Sequence, residues 1–158
     1  MSVKEFVLKK LEENRGIPLS GEAIANSLSV SRAAVWKAVR ALEAEGYHIE
    51  AVPNQGYTLC TDNDLLSTQG ILPYLTPPLK SREIRVFPCL PSTNQEAKRM
   101  ALESAEQGSA VLAEEQSAGR GRLGRSFFSP RGNGLYMSVI LRPKADVSNA
   151  VLITTAAA

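Results

Sequence analysis

Three observations predict an α+β chain in two parts. Residues 1–60 hold three stretches of helical periodicity followed by two short alternating runs around an Asn-Gln-Gly turn. Residues 61–80 are rich in turn formers and contain Pro77-Pro78, the composition of a connector. From residue 81 to 158, strand-like and helix-like segments alternate, as in a mixed α/β unit. At 158 residues this is two small units rather than one large one.

The elements follow in order. Val3, Phe6, Val7 and Leu11 recur at helical spacing and predict a first helix of about three turns, ended by Gly16-Ile17-Pro18. Ser20 is placed to cap a short second helix carrying Ala23, Ile24 and Leu28. Ser31 is placed to cap a third helix reaching about Glu45, with Val35, Val39 and Leu42 inward. Gly46 stops it. Tyr47–Ala51 and Tyr57–Leu59 then read as two strands joined by Asn54-Gln55-Gly56. Three short helices and a hairpin form the pattern of a winged helix-turn-helix.

In the connector, Leu65 to Leu75 suits a short helix, and the segment is expected to pack on the second unit. Ile84–Phe87 is a strand ended by Pro88 and Pro91. Ser92-Thr93-Asn94 then opens a helix to about Gln107, with Ala97, Met100, Ala101 and Ala105 on one face. Ala110–Ala113 is a buried strand and Leu135 to Leu141 another. A last segment from Val147 begins a helix that runs on to Ala158 without a stop signal.

Composition excludes several classes. The opening Met1-Ser2-Val3-Lys4-Glu5 has no apolar core, and no run approaches the ~18 residues of a membrane span, so a soluble cytoplasmic chain is expected. Two cysteines, Cys60 and Cys89, are too few for a disulfide scaffold or a structural zinc site, and no residue is assigned to a metal. The single histidine, His48, argues against most Ser-His, Cys-His and metallohydrolase designs.

Charge is more telling than its net value of +2. Ala23 to Leu42 carries Arg32, Lys37 and Arg40 with no acid. Gln116 to Ala145 carries Arg120, Arg122, Arg125, Arg131, Arg142 and Lys144, again with no acid. Two anion-binding surfaces are suggested, because local charge sets the field a ligand meets. In the first, Ser31, Arg32, Ala33, Lys37 and Arg40 are candidates for a DNA-reading helix, with basic residues on phosphates. A structural or protein-binding helical domain competes with this reading, and DNA binding is ranked first. Trp36 reads as a packing residue and is given no role.

In the second, Gly119-x-Gly121-x-x-Gly124 follows a strand, as a dinucleotide fingerprint would, but Pro130, Gly132 and Gly134 leave no room for the required helix. No Gly-Lys-Ser/Thr follows, so it is not a Walker loop either. What remains is a flexible loop whose arginines suit phosphate or carboxylate and whose glycines let backbone approach a ligand. A non-specific RNA-binding loop competes, although the flanking strands and Phe127-Phe128 favour an ordered site. Arg131 and Arg142 read as solvated charges.

Taken together, Ser92-Thr93-Asn94, Gln116-x-x-Gly119-Arg120-Gly121-Arg122-x-Gly124-Arg125, Phe128-Ser129-Pro130 and Asn133-x-Leu135-Tyr136-x-Ser138 resemble the biotin–protein ligase family. Ser31–Lys37 and Val52–Tyr57 are similar to its bifunctional branch, the biotin operon repressors. The resemblance implies a catalytic unit related to class II synthetase and biotin ligase folds. It implies that biotin's carboxylate attacks the α-phosphate of ATP, with Mg²⁺, and that biotinyl-5′-adenylate passes to a lysine of the biotin carboxyl carrier protein of acetyl-CoA carboxylase. It further implies repression at operator DNA as an adenylate-bound homodimer.

By the same resemblance, Ser92, Thr93, Asn94, Gln116, Arg120, Gly121 and Arg122 would hold biotin. Gly119, Arg122, Gly124, Arg125 and Phe127 would form the ATP and adenylate loop, Phe127 standing where the family often has Trp. Family members are longer, so the chain is expected to be the first part of such a ligase, incomplete within its catalytic unit. An open sheet edge and an exposed apolar face would follow. A non-catalytic, biotin-sensing winged-helix regulator is the alternative, and a DNA binder with a functionless second half is a weaker third.

Overall fold

A computed structural model describes residues 1–121, 123 and 125–143. It divides into two compact units, Met1–Lys80 and a second from Ser81. Arg122, Gly124, Lys144 and the helix expected from Val147 lie outside the described residues.

The first unit is built on capped helices. Helix α1 (Val3–Glu13) starts with a reciprocal capping box between Ser2 and Glu5. Helix α2 (Gly21–Leu28) and helix α3 (Arg32–Ala44) start at Ser20 and Ser31, whose hydroxyls accept from the Ala23 and Ala34 amides. Gly46, at φ +98°, closes α3, with the Tyr47 amide reaching back to the Leu42 carbonyl. The buried faces meet in one core of Val7, Leu8, Leu11, Ile24, Val35, Val39 and Leu42. Phe6, expected inside, is exposed; Leu8 takes its place in the stripe.

The hairpin pairs β1 (Ile49–Val52) with β2 (Gly56–Leu59) antiparallel, Ile49 opposite Leu59. Leu19 and Tyr57 exchange backbone hydrogen bonds at 2.9 Å, so the α1–α2 loop forms a third edge of the wing. That crossing requires glycine at residue 56. Its φ is +114°, and an added Cβ would overlap the Leu19 carbonyl and lie 2.8 Å from Ser20 Cα.

The connector departs from expectation. It is helical at α4 (Thr68–Ile71) and in two 3-10 turns, Leu72–Tyr74 and Leu79–Ser81, and α4 packs on α1 of the first unit. Asn63 supplies the reason. It is buried, its carbonyl accepts from Arg15 at 2.6 Å, and its side-chain oxygen accepts from the His48 amide. Arg15 also bonds the buried carboxylate of Glu12, while Leu65 joins the first core. The sequence period alone cannot show such long-range polar ties.

In the second unit, β3 (Ile84–Phe87) and β4 (Ala110–Ala113) are parallel, with helix α5 (Thr93–Leu102) between them in sequence. β5 (Tyr136–Val139) runs antiparallel to β4, giving the order β3-β4-β5. Ala97 and Met100 of α5 pack with Val111 and Ala113. The helix ends at Leu102, earlier than Gln107. Ser104 turns left-handed at φ +69°, and the Ala105 amide closes on the Met100 carbonyl.

Arg142 reinforces that end. It stays exposed, as expected of a solvated charge, but its guanidinium donates to the Ala101 and Ala105 carbonyls at 2.8 and 3.0 Å, where a cation complements the helix terminus. On β5, Met137 and Val139 alternate outward and are exposed, with Leu135 and Leu141 flanking them. Among the described residues no helix is long and apolar enough to cross a membrane.

The Gly56–Leu19 crossing can be tested by Gly56→Ala. The substitution is expected to lower the stability of the first unit by about 2 kcal/mol or more, from overlap plus an unfavourable φ. Urea unfolding followed through Trp36, the chain's one tryptophan and a resident of that unit, reads this directly. An unchanged midpoint would show that the crossing is not close.

Candidate functional site

Because Leu90 pairs with Gln116, the segment before α5 lies beside the start of the arginine loop. The Leu90 amide donates to the Glu115 carbonyl, and the Ser117 and Ala118 amides donate to the Leu90 and Pro91 carbonyls. The first turn of α5 is thereby held against residue 116.

There a chain of hydrogen bonds runs in one direction. The Ser138 hydroxyl donates to Thr93 Oγ1 at 2.9 Å. Thr93 donates to Gln116 Oε1 twice, from its backbone amide at 2.8 Å and its hydroxyl at 3.1 Å. Gln116 Nε2 donates to Ser129 Oγ at 3.2 Å, and Ser129 donates to the Phe127 carbonyl at 3.2 Å. A backbone amide can only donate, so the Thr93 contact sets the orientation of the Gln116 side chain. Thr93 and Ser129 are buried, where such a chain is strengthened by low polarity around it.

The chain forms the floor of a cavity of about 350 Å³. Ser92, Thr93, Asn94, Gln116 and Arg120, predicted together, all line it. Gln95, Lys98, Leu135, Tyr136, Met137 and Ser138 line it too, to none of which the sequence assigns a role. The signal for Lys98 was available: it lies one helical turn beyond Asn94, on the same face of α5. Tyr136 and Ser138 alternate on β5 and so share a face. The size suits a small molecule. Two cations and several amide and hydroxyl donors favour an anionic or acceptor-rich one.

The expected cap at Ser92 is only half met. Ser92 occupies the N-cap position, yet its hydroxyl makes no capping bond and its side chain is buried beside the cavity. Its donor is therefore left for a ligand.

The arginine loop folds back on itself instead of hanging free. The Gln116 amide donates to the Ser129 carbonyl, Phe127 to Gly119 and Gly121 to Arg125, and Arg120 pairs with Ser126. Gly119 serves this close approach rather than flexibility. An added Cβ would sit 2.5 Å from both the Phe127 carbonyl and Ser129 Oγ. Gly121, Arg125 and Phe127 are outside the cavity lining; Arg125 and Phe127 are exposed. Arg131 is exposed, as expected, and also pairs with Glu114 at 3.1 Å and donates to the Pro88 carbonyl.

On the outer side of α5, Glu96 bonds Arg99 and Arg85, which hold its carboxyl below the usual carboxylate range, Arg99 foremost. In the first unit, Arg32, Ala33, Trp36, Lys37 and Arg40 share the exposed face of α3, while Ser31 spends its hydroxyl on the cap. Trp36 is half exposed, with the Arg40 guanidinium 5.6 Å over its ring. Arg40 also pairs with Glu43 at 3.0 Å.

Comparison with known proteins agrees with this division. Residues 3–58 match a helix-turn-helix domain family, and residues 86–157 match the biotin/lipoate A/B protein ligase family. The chain is 38% identical over 140 residues to the bifunctional ligase/repressor BirA of Bacillus subtilis (strain 168), covering 89% of this chain and 43% of that protein. It is 39% identical over 132 residues to the bifunctional ligase/repressor BirA of Escherichia coli (strain K12), covering 84% of this chain and 40% of that one. The chain thus spans about two fifths of the length of these relatives.

Gln116→Leu keeps side-chain bulk and removes the amide. Thr93 then loses its partner, and amide hydrogen exchange at Thr93 is expected to speed up roughly 10- to 100-fold, the range for a buried donor left unpaired. Unaltered protection would mean that Gln116 does not hold the helix start.

Proposed function

We propose, for a chain that carries a helix-turn-helix domain and a domain of the biotin/lipoate A/B protein ligase family, the work of a biotin–protein ligase that also represses transcription. The observation that carries it is the cavity floored by Thr93, Gln116 and Ser138 with Lys98 and Arg120 in its wall. A cyclic urea with a carboxylate tail needs a polar floor for its ring and a cation for its far end. The floor supplies the first, and the loop arginine supplies the second.

The reaction asks little of titrating groups. An oxygen of the biotin carboxylate, already ionised, forms a bond to the α-phosphorus of ATP. The bond from that phosphorus to the β,γ-diphosphate breaks, and pyrophosphate leaves. A lysine amine of a biotin carboxyl carrier protein then attacks the acyl carbon, AMP leaves with the bonding pair, and the amine loses a proton. The residues' contribution is alignment and charge neutralisation.

Gln116 Oε1 is taken up by two donors from Thr93, and Thr93 Oγ1 accepts from Ser138, so both residues position rather than exchange protons. Ser92, the second N–H of Gln116, and the Asn94 amide offer the free hydrogen bonds. Arg120 would meet the carboxylate and α-phosphate; Arg122, Gly124, Gly121, Arg125 and Phe127 are assigned to the nucleotide by resemblance alone. No carboxylate lines the described cavity, so its residues hold no Mg²⁺ directly. Mg²⁺ would come with the phosphates of ATP and neutralise them.

For the first unit, Ser31, Arg32, Ala33, Lys37 and Arg40 form the DNA-reading face, set in a major groove of operator DNA, with the hairpin beside it. The adenylate-bound form acting as a homodimer, in the cytoplasm, completes the reading. Residues 1–60, 61–80 and 81–158 are its reader, connector and partial catalytic unit.

Two measurements test this. The 158-residue chain incubated with biotin, α-labelled ATP and Mg²⁺ is expected to yield labelled biotinyl-AMP, and Arg120→Ala to reduce it roughly 10- to 100-fold, the worth of a charged hydrogen bond. No binding of biotin or its adenylate by calorimetry would sink the ligase reading, whereas binding without turnover would support the non-catalytic sensor. In the second, Lys37→Ala with Arg40→Ala should weaken operator binding and lower its salt slope by about two. An unchanged slope removes both residues from the phosphates.

A further inference from the structure

The hairpin brings together three side chains that the ligase and reader functions leave unused. His48 lies just before β1 and Cys60 just after β2, and they continue the strand register beyond Ile49 and Leu59. The Cys60 amide donates to the His48 carbonyl at 2.9 Å. Glu50 stands two residues along from His48 and therefore on the same face. One ligand atom from each of His48, Glu50 and Cys60 lies within 4.8 Å of the other two.

We propose that His48, Glu50 and Cys60 bind a borderline divalent cation, zinc or its analogue cobalt, at the base of the wing. A nitrogen, a sulfur and a carboxylate oxygen are the donor set that such an ion takes, whereas magnesium and calcium want oxygens alone. Bond lengths of about 2.0–2.3 Å give a tetrahedral site with donors about 3.3–3.8 Å apart. The present spread of 4.8 Å closes by small rotations of the exposed His48 and Glu50 side chains about a half-buried Cys60.

Two further observations point the same way. Asp62 holds its carboxylate oxygens 3.2 and 3.3 Å from Nδ1 of His48. A carboxylate on one ring nitrogen is the usual means of orienting a histidine that ligates through the other. Across the hairpin from Glu50 stands Thr58, whose Oγ1 is buried with no hydrogen-bond partner. A water in the fourth coordination position would give it one.

Too few cysteines for an all-thiolate site do not preclude a mixed one. Its three ligands come from the two ends of the hairpin. The ion would clip those ends together and, through Asp62 and Asn63, fasten them to the connector, since Asn63 already accepts from the His48 amide. Wing position would then depend on zinc.

The test is a cobalt titration of the 158-residue chain, followed by displacement with zinc. One equivalent of Co²⁺ is expected to bind with a thiolate charge-transfer band in the near ultraviolet. Cys60→Ser should abolish that band, and Cys89→Ser should leave it intact. His48→Gln and Glu50→Gln should each weaken binding at least roughly 10-fold, and Asp62→Asn roughly 10-fold through the lost orientation. Far-ultraviolet circular dichroism establishes that each variant is folded. Binding without the band, a band that follows Cys89 instead, or undiminished affinity in folded His48→Gln would overturn the site.

Discussion

The second unit turns on one contact, the Thr93 amide against Gln116 Oε1 at 2.8 Å. The first amides of any helix have no partner within it and need one from elsewhere. Here that partner is a residue 23 positions downstream, so satisfying the helix start also docks the arginine loop. Everything nearby inherits its position from this bond. Ser138 reaches the cavity floor because Thr93 stands still to accept from it. Ser129 is aimed at the Phe127 carbonyl because the other end of the Gln116 amide meets it. Ser92 stands next to that contact at the N-cap position, and since its hydroxyl makes no capping bond it is not consumed by the helix.

The first unit solves a comparable problem with sterics. Its third helix is stationed by a core of side chains from α1, α2 and α3, but the wing has only two strands, too few to be stable alone. The Leu19–Tyr57 pairing adds an edge, and the absence of a Cβ at Gly56 lets the two backbones meet. Arg15, Glu12 and Asn63 then anchor the next stretch of chain on the same unit. A loop, a hairpin and a connector are held by a few specific contacts, whereas the helices are held by burial.

This difference explains what could be read from the sequence. Helix starts at Ser20 and Ser31, the stop at Gly46 and the inward triplet of Val35, Val39 and Leu42 are local signals, and each is in place. Ser92, Thr93, Asn94, Gln116 and Arg120 were legible as a group through the resemblance, and they meet in one cavity. What stayed hidden is whatever depends on a partner far along the chain. Arg142 and Arg131 are exposed as expected, but nothing local shows that the Ala101, Ala105 and Pro88 carbonyls and the Glu114 carboxylate meet them. The connector is expected on the second unit, but buried Asn63 and α4 tie it to the first. Ser104 ends α5 early although serine rarely adopts a left-handed φ, so no glycine announced the stop. Gly119 suggested mobility, while its place beneath Phe127 and Ser129 makes it a packing residue.

The same reasoning bears on chemistry. Among the described residues, no imidazole, thiol or carboxylate lines the cavity; its donors are hydroxyls, amides, an ammonium and a guanidinium. Such a set is poor at moving protons and good at fixing an acceptor-rich molecule beside an anion. Acyl-phosphate formation from an ionised carboxylate is among the few activations that need no protein base at the nucleophile, and its demand is for cations that meet charge on two approaching anions. A site with one histidine in the whole chain, placed in the other unit, is therefore not deficient for that reaction. The lone histidine and one of the two cysteines stand together at the hairpin instead, where coordination chemistry rather than proton transfer is what they are equipped to do.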